Sequence, residues 1–189
     1  IPSFVITESL LDLAKYFPAD EFKQKYPDWV GNQVVLDGHV WAIPQDTGPM
    51  GMLYRKDLLD KAGIEPPKTW EEFAQAAREY HEKNPDSFLT SMPTNEPGQW
   101  LGLFWQAGAR PFEQPADDQL NVNLNDDAAK KVADFWAPLL QEGVIANDAN
   151  FTDAWYQSLA SGRYAAWLTA AWGPVFLQGT AEKTSGKWR

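Results

Sequence analysis

The chain has 189 residues, no cysteine, and 26 acidic against 16 basic residues, for a formal net charge of −10. That balance excludes nucleic acid and anionic membrane as partners, since both require clustered Lys and Arg, and the lack of thiols excludes a disulfide framework, a thiolate metal site and a cysteine nucleophile. Ten tryptophans, ten phenylalanines and six tyrosines exceed what one core of this size uses, so some aromatic surface is expected to face a ligand. The longest uncharged run, 164–181, is interrupted by Pro174 and falls short of the roughly 20 apolar residues a membrane helix needs.

The chain opens with an apolar segment already under way, and reads as truncated. Leu10, Leu11, Leu13 and Tyr16 have helical spacing over 8–16, and a second, more polar helix over 19–26 is ended by Pro27. Residues 40–43 and 50–54 are short apolar runs on either side of a turn-rich stretch, 44–49, that carries one acid, Asp46. A short helix from Arg55 closes at Gly63, the residue best able to take a left-handed cap. Glu65-Pro66-Pro67 is a stiff extended link. Thr69 then opens a helix with Glu72 three residues on, the capping-box spacing.

That helix is expected over 70–82 with Trp70, Phe73, Ala77 and Tyr80 on one face, stopped by Asn84-Pro85-Asp86. A strand over 87–91 leads into a polar loop ending on Trp100, and an aromatic helix follows over 99–107, with Trp105 as its core-facing tryptophan. Alternation over 117–124 predicts a hairpin. Asn125 is the expected cap of a helix to about 142 that Pro138 should kink. Thr152 or Asp153 opens another helix, ended at Ser161-Gly162. A strand over 163–169 and a strand-to-helix turn at Ala170-Ala171-Trp172-Gly173-Pro174 follow. Trp155 and Trp167 read as core. Strand–helix alternation argues for an α/β layered lobe, whose ligands sit at strand ends.

The succession over 40–73, ending in Pro66-Pro67-Lys68-Thr69-Trp70-Glu71-Glu72-Phe73, resembles the carbohydrate-binding, maltose-binding-protein-like group of extracytoplasmic receptors of bacterial ABC importers. The resemblance implies a periplasmic-binding-protein-like α/β fold, mostly the second lobe plus a piece of the first, and covers about the middle half of a family member. It implies a partial first lobe over 1–45, a hinge crossover over 46–49, and a second lobe over 50–189 that is incomplete at its C-terminal end. It also implies a saccharide ligand captured between two lobes, a membrane permease as partner, an extracytoplasmic location, no cofactor and no catalysis.

A sugar offers hydroxyls at its rim and C–H patches on its faces, so carboxylates and amides suit its edge and aromatic rings its faces. Asp46, Thr47, Asn95, Glu96 and Gln99 are candidates for the first role, Trp100 and Trp172 for the second. Glu96 falls where the maltose binder has a loop acid followed by proline, but Gly98 stands where that protein has a stacking tyrosine. Trp172 lies the same distance after the Ser161-Gly162-Arg163 turn as the maltose binder's stacking tryptophan.

Plainer roles compete. Asp46 can serve its own turn, Glu96 can be a solvated loop acid, and Trp100 can lie on a buried helix face. His39 and His81 lack metal-ligand companions. The oxygens of 147–153 are spaced like a calcium loop but lack its glycine and terminal glutamate. Two other functional classes stay open: a glycosidase with Asp46 and Glu96 as its acid pair, and a protein-interaction domain that uses exposed tryptophans.

Overall fold

The computed structural model describes residues 1–116 and 119–189. The chain separates into two compact units, Ile1–Pro49 and Met50–Arg189.

The first unit contains helices α1 (Pro2–Ile6), α2 (Ala19–Lys23) and α3 (Asp28–Val34), and a two-residue hairpin pair, β1 (Val35–Leu36) and β2 (His39–Val40). Asp37 and Gly38 both take positive φ at its turn, as a tight hairpin requires. The helix expected over 8–16 does not form. The Leu13 amide donates to the Val40 carbonyl at 2.8 Å, and the Asp12 carboxylate accepts from the Ala14 and Val40 amides. Those donors are drawn into tertiary contacts instead of a helical ladder. Phe22, Val34, Val35 and Val40 form this unit's small buried core.

In the second unit β3 (Met50–Tyr54) leads into α4 (Lys56–Ala62), which ends on Gly63 at φ 67°. Helix α5 (Trp70–Lys83) starts as the sequence predicts, with the Thr69 hydroxyl accepting from the Glu72 amide. The reciprocal bond shifts by one residue: the Glu72 carboxylate takes the Lys68 amide at 2.7 Å. The unit continues through α6 (Pro97–Gln106), the hairpin β4 (Phe112–Ala116) and β5 (Gln119–Val122), α7 (Asp127–Gln141), α8 (Asp153–Ser161), β6 (Ala166–Ala170) and α9 (Gly173–Thr180). The first two residues of the expected 117–124 hairpin lie outside the described residues, and of the remainder Gln119–Val122 falls on β5.

Two details, the cap of α7 and the residues 87–91, correct the sequence reading. Asp126, not Asn125, caps α7: its carboxylate accepts from the Ala129 amide at 2.7 Å, where a negative charge also suits the helix dipole. Helix α7 is continuous through Pro138. Residues 87–91 form no regular strand but bridge in parallel at Phe88–Tyr164 and Ser91–Ala146.

Strand β3 pairs antiparallel with β6, Met50 opposite Ala170 and Tyr54 opposite Ala166. Because side chains alternate along a strand, each strand feeds two layers. Ala166 and Leu168 join a cluster with Leu59, Phe73, Tyr80, Leu103, Trp136 and Leu139. Trp167 joins another with Trp155, Leu159 and Leu177. The sheet is therefore covered by α4, α5, α6 and α7 on one face and by α8 and α9 on the other, the layered α/β arrangement that the alternation of elements implies.

Candidate functional site

The C-terminal end of β6 delivers Ala170, and the turn that follows places Trp172 at the start of α9. Gly173 makes the turn possible: a Cβ there would come within 2.5 Å of Thr169 Cγ2 and 3.2 Å of Leu53. Trp172 is half-buried. Its ring lies 5.8 Å from Trp167, edge-on, while its outer side meets Phe176 at 5.3 Å and Phe151 at 6.1 Å. Phe151 and Phe176 are 41 % and 42 % exposed, so the three rings form an aromatic surface open to solvent.

Asn95 reaches the same place from another loop. Its side-chain carbonyl accepts from the Asn150 amide at 2.9 Å and its NH2 donates to the Asn150 carbonyl at 3.1 Å, a two-point clamp on the backbone beside Phe151. Phe151 has φ 63°, in the left-handed region that costs a non-glycine residue roughly 1–2 kcal/mol.

Glu96 caps α6 with both carboxylate oxygens, accepting from the Gly98 amide at 2.7 Å and the Gln99 amide at 3.0 Å. A glycine at 98 suits this cap, since a Cβ there would sit 2.5 Å from Glu96 Oε1 and push that carboxylate aside. Gln99 is buried, and its amide nitrogen lies 3.3 Å from the Met92 sulfur. Trp100 is half-buried against Trp136, its indole N–H donating to the Pro93 carbonyl. Asp46 and Thr47 lie on the exposed stretch 43–49 of the first unit. The structure thus brings Asn95 and Trp172 together around Phe151, and turns Gln99 and Trp100 inward.

Trp105, expected in the core, is 60 % exposed. Helix α6 starts two residues earlier than read from the sequence and buries Gln99 and Leu103. Two residues past Leu103 is about 200° of rotation, the opposite face. Trp155 and Trp167 are buried as expected, at 2 % and 3 % exposure.

The oxygens of 147–153 hold the protein together. Asp148 accepts from Arg163 at 2.7 Å and from the Tyr164 hydroxyl, and Thr152 caps α8. Burial alone would raise the Asp148 carboxyl, but the bonds from Tyr164 and Arg163 outweigh it and leave it below the usual carboxylate range. Burial and the carboxylate together push the Tyr164 hydroxyl up to about 12. Sequence reasoning missed Phe151 and Phe176; the available signal was an aromatic residue in the middle of the polar run 147–153.

Apart from this surface, an apolar cavity of about 660 Å³ opens beside β3, lined by Met50, Met52, Phe73, Leu103 and Leu168, with the Trp70–Gln106 hydrogen bond among its lining groups.

The family profile for bacterial extracellular solute-binding proteins matches residues 7–189, and the chain belongs to that family. It is 27 % identical over 162 residues to a lactose-binding protein of Rhizobium radiobacter, covering 82 % of this chain and 36 % of that protein. Among solved structures, the ABC transporter associated binding protein of B. animalis subsp. lactis Bl-04, in complex with beta-1,6-galactobiose, superposes with a TM-score of 0.90. The identity is 30 %, over 100 % of this chain and 46 % of that one. The galacto-N-biose-/lacto-N-biose I-binding protein of Bifidobacterium longum, in complex with lacto-N-biose, gives a TM-score of 0.77 at 27 % identity, over 95 % of this chain and 44 % of that one. The chain thus spans between about a third and a half of these relatives' lengths. The fold is periplasmic-binding-protein-like, as the resemblance over 40–73 implied.

Proposed function

We infer that this chain is part of the extracytoplasmic substrate-binding component of an ABC importer, which captures a short galactose-containing saccharide and delivers it to a membrane permease without chemical change. The observation that carries this is the solvent-open aromatic surface around Trp172, at a strand end of a chain whose relatives are named for, or solved with, lactose, beta-1,6-galactobiose and lacto-N-biose. Rings of this kind match the C–H faces of a galactosyl unit.

In this reading Trp172 stacks on the sugar, and Glu96, whose two carboxylate oxygens cap α6, holds its loop in shape. Asn95, Gln99 and Trp100, whose polar atoms already bind the protein itself, hold the loops in shape. Residues 1–45 belong to the first lobe, 46–49 to the hinge and 50–189 to the second lobe, supported by the division of the chain into compact units after Pro49. Ligand then acts by shifting a hinge equilibrium toward closure.

The test is a titration of tryptophan fluorescence in the full-length protein against lactose, beta-1,6-galactobiose and lacto-N-biose, with the sugar assayed afterwards. A saturable change with the sugar recovered intact is expected. Silence with all three, or release of monosaccharide, overturns the reading.

A further inference from the structure

The Phe151 ring packs against Trp155 and Trp167, centroids 5.5 and 6.3 Å away, and the residue combines three further features. It is a large apolar side chain left 41 % exposed, its backbone is held at φ 63°, and the neighbouring Asn150 backbone is gripped on both its N–H and its C=O by the Asn95 amide. A residue whose only role was to turn the chain would do so at lower cost as glycine. Keeping a phenylalanine in the left-handed region places its ring beside Trp172, centroids 6.1 Å apart and planes inclined by 41°. The space between the two rings is too narrow for a sugar to enter. The two rings adjoin at an angle, and the spacing of their centres is comparable to that between the two rings of a linked disaccharide.

We propose that Phe151 is the second aromatic platform of the saccharide site, beneath the sugar unit next to the one on Trp172, and that Asn95 is the positioning residue that holds it there through Asn150. The inference rests on the functional reading above and deepens it: the site selects for a second pyranose unit, and Phe151 supplies that selection. Persistent strain at a site residue is sustained only when the surroundings over-determine it, and the Asn95 clamp does this.

Calorimetric titration of the full-length protein with lactose, beta-1,6-galactobiose and lacto-N-biose, alongside thermal unfolding, tests this in four single variants and one double variant. Phe151→Ala is expected to raise Kd for the sugar that binds about tenfold, the scale of one aromatic contact, and Phe151→Tyr to stay within about twofold of the parent. Phe151→Gly should lose affinity like the alanine variant but melt higher than it, because both lose the ring's packing and only glycine relieves the left-handed backbone. Asn95→Ala should raise Kd by a similar factor alone and add little in the Phe151→Ala background, since both act through one ring. An unchanged Kd in Phe151→Ala, failure of Phe151→Tyr to restore binding, or multiplicative losses in the double variant would each overturn the proposal while leaving the transport reading standing. If the parent binds none of the three sugars, both fall together.

Discussion

Trp172 stands at the meeting point of a buried layer and an open surface, with Trp167 behind it and Phe151 and Phe176 beside it. Replacing it with alanine in the full-length protein should weaken saccharide binding by about 1–3 kcal/mol, the scale of a lost aromatic contact plus its buried area. Unchanged calorimetric affinity would remove Trp172 from the site. The Asp148–Arg163–Tyr164 group makes a second residue-level prediction. The Tyr164 hydroxyl is raised to about 12, so its contribution is complete below the ordinary tyrosine value of about 10 and is lost as pH climbs from there to about 12. Asp148 is depressed, so its contribution is present above the ordinary carboxylate value and lost as pH falls through its lower folded value. Tyr164→Phe should cost about 1 kcal/mol at neutral pH and flatten the alkaline loss; a melting curve as steep between pH 10 and 12 as the parent's would contradict the assignment. At this scale the sequence was readable where chemistry is local. Thr69, Gly63 and Thr152 act as caps because the partners of a cap lie within four residues. Trp105 was misplaced in the core, because which face of an aromatic helix is buried depends on the neighbours that pack on it, and here the buried face carries Gln99 and Leu103.

Among the elements, β3 has two unlike edges. Gly51 and Leu53 face β6, whereas Tyr54 exchanges both backbone bonds with Arg189, at 2.8 and 2.9 Å. Since antiparallel pairing alternates, the amides of Met50 and Met52 point to the same side as Tyr54, away from β6. In the 189-residue chain, hydrogen exchange should therefore be fast at Met50 and Met52 and slow at Gly51 and Leu53, which need the strands to part. Equal protection along the strand would show that another segment covers that edge. The turn into α9 is the other sensitive element. Gly173→Ala forces a methyl against Thr169 and Leu53, and should cost about 1–3 kcal/mol by overpacking, lowering Tm and moving Trp172 enough to weaken binding as well. A Tm unchanged within error would mean that the turn yields freely. The expected strand over 87–91 shows why elements are less legible than caps: its bonds go to residues 146 and 163–166, far along the chain, and only bridges form.

For the molecule as a whole, the two units differ in what holds them. Four buried apolar residues make the core of the first, while the second buries sixteen and seven in its two clusters. A small core leaves little margin over conformational entropy, so amides over 1–45 should exchange faster than those of the β3–β6 pair in the isolated chain. Uniformly slow exchange in a monomer would contradict that ranking. The sequence by itself determined the family, through the 40–73 succession, and the helices of the second unit together with β3 and β6, because periodicity, prolines and caps act over a few neighbouring residues. It also singled out Trp172. Only the tertiary structure decided that Asn95 clamps Asn150, that Phe151 is pressed into a left-handed conformation beside Trp172, and that Gln99 and Trp100 turn inward. Those contacts join residues up to 55 positions apart, and they form only once the packed layers bring the loops at the strand ends together.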